Sequence, residues 1–157
     1  MSHNKLQTTN FKQLNIGIVC YPSIGGSGIV ATNLGNELAL RGHKIHFISY
    51  NEPVRLIKHK NTHFHKVHIN EYELFKFPDY TLPLAVVMGA IHKKYHLDVL
   101  HVHYAVPHAT AAILMEDMLK HCGNKTPHLV TTLHGTDITL LAKNRHLFEI
   151  IRYSIER

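Results

Sequence analysis

A chain of 157 residues, 45% of them hydrophobic, is long and apolar enough for one domain with a core, and this composition excludes a disordered chain. The formal charge of +6 comes without a dense Lys/Arg cluster, so it favours anionic ligands or an anionic surface and argues against nucleic acid. Cys20 and Cys122 lack the spacing of a metal motif and are too few for a disulfide framework, which fits a reducing cytoplasm.

Met1 to Gln13 reads as a flexible extension. Its polar start, Met1 to Lys12, has no apolar stretch of the kind a signal peptide needs. Leu14 to Cys20 is a short apolar run, as expected of a strand buried on both faces. The segment Tyr21-Pro22-Ser23-Ile24-Gly25-Gly26-Ser27-Gly28 follows as a glycine-rich turn. From Ile29 to Arg41 the spacing predicts a helix, with Val30, Leu34 and Leu38 on one face and Gly42 as its stop. Lys44 to Ser49 is a second strand, followed by a loop through Asn51 and Pro53, and His63 to Ile69 alternates as a third strand. Asn70 to Pro83 is a long aromatic loop carrying Tyr72, Phe75, Phe77 and Tyr80, and such loops are often functional. Leu84 to Tyr95 reads as a helix. The longest apolar run, Leu82 to Ile91, is broken by Pro83 and is too short to span a bilayer. Val99 to His103 is a strand, Ala109 to Lys120 a helix, Leu129 to Leu133 a strand, and His146 to Arg157 a helix. Sixteen histidines are spread along the chain, and acid would charge many of them, so solubility should depend on pH.

Strands that alternate with helices predict an α/β fold, a Rossmann-like, mostly parallel sheet with helices on both faces. Right-handed crossovers then bring the loops after the strands to one edge, where ligands of such sheets bind. Three segments fall there: Tyr21 to Gly28, His103 to His108, and His134 to Asp137.

Several chemistries fit these segments. Gly26-Ser27-Gly28-Ile29-Val30-Ala31 matches G-x-G-x-x-A, and Glu52 lies where a ribose-binding acid would sit, which points to a dinucleotide. The turn is wider than that fingerprint requires, because Tyr21, Pro22, Ser23 and Ile24 intervene after the strand. A metal site is a second reading. His101 and His103 are two apart on a strand and share a face, and His134 and Asp137 end another strand. His63-Phe64-His65 repeats that spacing, as chance would in a histidine-rich chain.

A third reading takes the motifs together. Ile18-Val19-Cys20-Tyr21-Pro22 with Gly25-Gly26-Ser27-Gly28, then Gly42 to Ile48, then His101-Val102-His103-Tyr104-Ala105-Val106-Pro107-His108, then Thr131-Thr132-Leu133-His134-Gly135-Thr136-Asp137, run in order with compatible gaps. In this the chain resembles the N-terminal half of a GT-B retaining glycosyltransferase of family 4, over roughly Leu14 to Arg157. The glycine loop and the His-Gly-Thr-Asp element are general to that family. The Cys-Tyr-Pro start and the Tyr-Ala-Val-Pro-His segment resemble its malate-using branch.

The resemblance implies transfer of N-acetylglucosamine from UDP-N-acetylglucosamine to L-malate with retention, without a metal or other cofactor. It implies a cytoplasmic enzyme and leaves homo-oligomer formation by the full-length protein open. The donor would sit mainly on a second domain and the acceptor on this one. Backbone N–H groups at Gly26 and Ser27, at a helix start, would meet phosphate or carboxylate. Tyr104 and Thr132 match acceptor-contacting positions, His134 the catalytic histidine beside the donor sugar, and Asp137 a residue that orients the loop or caps a helix from Ile138. Lys76, in the aromatic loop, would supply positive charge to a dicarboxylate. The expected organisation is an extension over 1–13 and an incomplete acceptor-side domain over 14–157, inactive as a transferase alone. A nicotinamide-dependent oxidoreductase domain and a non-catalytic binding module remain open beside it.

Overall fold

In a computed structural model, residues 12–69, 79–141 and 143–157 are described. The 1–11 part of the expected extension and most of the aromatic loop, 70–78, including Lys76, lie outside the described residues.

Five strands form one sheet: β1 (Asn15–Val19), β2 (Lys44–Ser49), β3 (Thr62–Lys66), β4 (Val99–His103) and β5 (His128–Thr132). Their order is β3-β2-β1-β4-β5, and every neighbouring pair is parallel. The chain first moves outward from β1 to β3 and then returns to β4 on the other side. β1 therefore stands at the point where the strand order reverses, and the crevice above it is where ligands of open α/β sheets bind.

Alternation along β1 sorts the core into two layers. Ile16, Ile18 and Cys20 pack with Ala31, Ala39, Ile45 and Phe47 under α1 (Ser27–Leu40). Val19 points the other way, with Ile48, Leu100 and Val102, toward α2 (Thr81–Tyr95) and α3 (Thr110–His121). A last helix, α4 (Arg145–Glu156), follows β5 and touches α3.

Element types agree with the pattern read from the sequence, and three details differ. The buried face of α1 is Ala31, Thr32, Gly35, Asn36 and Ala39, while Val30 is exposed and Leu34 and Leu38 are half-buried. Small residues win because the helix lies close on the sheet: a Cβ on Gly35 would come 2.3 Å from Phe47 Cζ and 2.9 Å from Ile18 Cδ1. α2 begins at Thr81, three residues earlier than expected. Pro83 falls in its first turn, where a missing N–H costs nothing, and the Asp79 carboxylate accepts from the Thr81 N–H at 3.2 Å and the Leu82 N–H at 2.8 Å. β3 ends at Lys66, not at Ile69.

Candidate active site

The loops that follow β1, β4 and β5 meet at the carboxyl edge. Tyr21 lies between them, 5.5 Å from the Tyr104 ring and 4.5 Å from the His108 ring, and the Tyr104 ring lies 4.8 Å from His134. The three segments picked out in the sequence therefore form one surface.

The first loop enters α1 through Gly26, whose φ of 58° favours glycine. No side chain caps this helix start and no acid occupies its first turn, so its leading N–H groups carry an undiminished partial positive charge. Gly28 is the packing constraint of the loop: a Cβ there would stand 2.5 Å from the Tyr21 carbonyl oxygen. Ser23 folds the loop on itself, its hydroxyl donating to the Gly25 carbonyl at 2.9 Å. Gly26 is exposed beside a buried Ser27.

The second loop turns sharply at Tyr104, which holds φ at 91°. For a tyrosine this costs on the order of 1–3 kcal/mol, a strain that surrounding contacts must fix. Here the Tyr104 N–H donates to the Thr132 carbonyl at 3.0 Å, and the Ala105 N–H donates to Asp137 Oδ1 at 3.2 Å. The other carboxylate oxygen, Oδ2, accepts from the His134 N–H at 2.9 Å. Asp137 is fully buried and so ties the loop after β4 to the loop after β5. It does not cap a helix from Ile138, because its carboxylate is spent on those two loops and the turn Asp137–Leu141 is a single π-type turn.

Thr132 ends β5 and its hydroxyl lies 2.7 Å from His101 Nε2. His103 Nδ1 lies 3.1 Å from His134 Nε2. The His101, His103 and His134 rings form a stack, with centroids 4.6 Å and 5.3 Å apart. The two strand histidines are thus engaged in pairwise contacts, and among the described residues no group of three or more His, Cys, Asp or Glu side chains is arranged to hold a metal ion. Glu52, the ribose-binding candidate, is exposed in the loop after β2.

Burial sets the protonation of the site. It pushes His103 down to about 3, helped by the repulsion of His101, His134 and His108, and pushes His108 down to about 4. Burial likewise raises the phenols of Tyr21 and Tyr80, and Cys20 is pushed up to about 12, which leaves an unreactive thiol. Tyr21 and His108, whose rings lie against Tyr104, are therefore neutral near pH 7. His108, Tyr21 and Tyr80 were not singled out in the sequence as site residues. The Nδ1 of His108 is fixed on the His103 carbonyl, and its Nε2 and the Tyr80 hydroxyl are buried without partners among the described residues.

These histidines also predict a pH dependence. His46, buried on β2, is pushed down to about 4 by burial and by its neighbours His65, His63 and Lys44. Between the ordinary value of 6.5 and these folded values, the unfolded chain binds protons that the folded one does not. Stability is therefore complete above pH 6.5 and falls as the pH drops toward 4. Each of His46, His103 and His108 is expected to contribute up to about 1.4 kcal/mol per pH unit. Urea unfolding at pH 7.5, 6.5 and 5.5 checks this: no loss between 6.5 and 5.5 would mean that these rings are charged or solvated in the fold.

Residues 24–157 match Glycosyltransferase Family 4. The chain is 49% identical over 146 residues to an N-acetyl-alpha-D-glucosaminyl L-malate synthase of Bacillus anthracis, covering 92% of this chain and 37% of that protein. It is 29% identical over 136 residues to an uncharacterized glycosyltransferase of Methanocaldococcus jannaschii, covering 83% of this chain and 35% of the relative. The chain thus spans just over a third of the length of these relatives. Neither comparison supports an oxidoreductase. With a parallel sheet, a site at its reversal point and a family match over most of its length, the chain belongs to Glycosyltransferase Family 4.

Proposed function

We propose that this chain is the acceptor-binding half of a retaining transferase that moves N-acetylglucosamine from UDP-N-acetylglucosamine to the hydroxyl of L-malate, a step of bacillithiol synthesis in the cytoplasm. The observation that carries the reading is the 49% identity to a protein named for that glucosaminyl and malate chemistry. The site is compatible with it. A dicarboxylate acceptor needs hydrogen-bond donors and positive potential, and the uncapped start of α1 supplies both through the Gly26 and Ser27 N–H groups. The Tyr104 hydroxyl, in the loop after β4, and the Thr132 hydroxyl, at the end of β5, add donors. If His101 donates to Thr132, the Thr132 hydrogen remains available to a carboxylate.

In the reaction, the bond from the anomeric carbon to the diphosphate breaks and the malate hydroxyl oxygen bonds that carbon on the same face. In this reading His134 meets charge on the transferring sugar or diphosphate with a hydrogen bond. Asp137 holds that histidine's backbone in place. The chemistry proposed uses no metal.

In an enzyme carrying both halves, Thr132→Val and Tyr104→Phe are each expected to weaken apparent malate affinity by about 10- to 150-fold, the worth of one hydrogen bond to a charged acceptor, about 1.5–3 kcal/mol. Donor affinity should change far less. Unchanged malate affinity in both variants, measured by UDP release at saturating donor, would sink the assignment. Titration of NADH into the chain tests the oxidoreductase alternative, for which a saturable fluorescence change is the signature.

A further inference from the structure

Proton accounting at the His103–His134 contact leads beyond these roles. His103 ends β4 and is 1% exposed. Its Nδ1 lies 3.1 Å from His134 Nε2, and its own Nε2 is buried with no partner among the described residues. Two neutral imidazoles in N···N contact share one hydrogen, so one of them donates and the other accepts.

Two arrangements exist. In the first, His103 donates from Nδ1, which leaves its buried Nε2 as a bare acceptor. In the second, His134 donates from Nε2, and the hydrogen of His103 must then sit on Nε2 as a buried N–H without a partner. Orphaned buried N–H groups are rarer than under-satisfied acceptors. The first arrangement wins. His134 then accepts at Nε2 and carries its own hydrogen on Nδ1. The near-parallel His101 ring, 4.6 Å away, packs on His103, and Tyr104 lies 4.8 Å from His134.

We propose that His103 is a positioning residue that holds His134 in the Nδ1–H tautomer, so that this half-exposed histidine meets a ligand as a hydrogen-bond donor and not as a base. The tautomer stands on the geometry alone. Its use toward a phosphate, carboxylate or sugar oxygen rests on the transferase reading above. The lone pair of Nε2 is committed to the interior, so removal of a proton from an acceptor hydroxyl falls to another group. An oxygen of the departing diphosphate is the natural candidate, because the N–H groups of α1 face the same crevice.

The test is a long-range 1H–15N spectrum of the 15N-labelled chain at pH 7.5 without substrate, with His134 assigned by loss of its signals in His134→Gln. The Nδ1–H form is expected to be the major form of His134. His103→Phe keeps a ring in the stack and removes the donor. There His134 should revert to the Nε2–H form that free neutral imidazole prefers. His103→Asn places an N–H close to the lost Nδ1 and should restore the Nδ1–H form. An Nε2–H His134 in the unaltered chain overturns the proposal, as does an unchanged Nδ1–H form in folded His103→Phe. If His103→Phe does not fold, the unaltered chain and His103→Asn decide the matter. Failure of malate to bind would count against the transferase reading and leave the tautomer result standing.

Discussion

Replacing Asp137 with alanine is expected to destabilise the chain by about 2–5 kcal/mol, because it orphans two backbone N–H groups at once. One belongs to buried Ala105 and the other to His134, and each is bound by a different oxygen of a carboxylate that is itself fully buried. An unsatisfied buried donor costs about 1–3 kcal/mol, and the two losses add because they fall on separate loops. For a domain of this size each kcal/mol moves the midpoint by about 2–4 °C, so a drop of about 4–20 °C is expected in a thermal melt. Asp137→Asn separates volume from acceptance. The carboxamide fills the same space but offers one oxygen, and its NH2 group faces a donor. Its cost should fall between wild type and alanine. The strained φ of Tyr104 makes the change functional as well as structural. With Ala105 released, the Tyr104–Thr132 bond is the remaining backbone hydrogen bond between the turn and β5 among the described residues, and the surface around Tyr104 should loosen before the sheet does. Amide exchange at Tyr104 and His134 reads that order directly. Both variants melting within about 1 °C of wild type would show that Asp137 ties nothing.

The sheet was legible because its strands are short apolar runs separated by helical spacing, a pattern with few parallel solutions. β2 and β4 fall on the residues expected, and even the β5 boundary shifts by a single residue, from Leu129 to His128. The orientation of α1 was not legible. Hydrophobicity put Val30, Leu34 and Leu38 inside, whereas the decisive quantity is the clearance between Gly35 and Phe47, a tertiary distance. At the site, the loops could be located but not wired. Glycine and histidine content marked where the chain meets the crevice. The spacing of His101 and His103 showed that they share a face, and a metal was one way to use them. Their partners are instead Thr132 and His134, a consequence of the β4–β5 register that pairs His103 with Thr132. Asp137 shows the same limit. The sequence marks it as a residue that orients its loop or caps a helix, and only the fold reveals that Ala105, 32 residues away, claims one of its oxygens.

The glycine loop yields the second large effect, and it predicts a ranking rather than a single loss. Gly28→Ala is expected to be the most damaging of three conservative changes. Its Cβ would stand 2.5 Å from the Tyr21 carbonyl oxygen and 2.8 Å from that of Ser23, both backbone atoms, and 2.6 Å from the Ser23 hydroxyl. No rotamer change relieves a clash with backbone, so the loop must move off α1, at a cost of about 1–3 kcal/mol. Gly26→Ala meets no atom within 4 Å but must hold a φ of +58°, which costs about 1–2 kcal/mol in an L-residue. Gly25→Ala meets neither obstacle and should stay within about 0.5 kcal/mol of wild type. Ligand binding should follow the same order as stability. Gly28→Ala displaces Tyr21, whose ring touches Tyr104 and His108, and so disturbs all three loops, whereas Gly26→Ala strains one turn. On the proposed transferase reading, malate affinity should therefore fall at least about tenfold in Gly28→Ala for a loss of one charge-assisted contact, with a smaller change in Gly26→Ala. Equal effects at all three positions would mean that the loop is merely flexible. Only the close approach of strand end to helix start makes Gly28 unlike its neighbours, and that approach is what brings the α1 N–H groups into the crevice above β1.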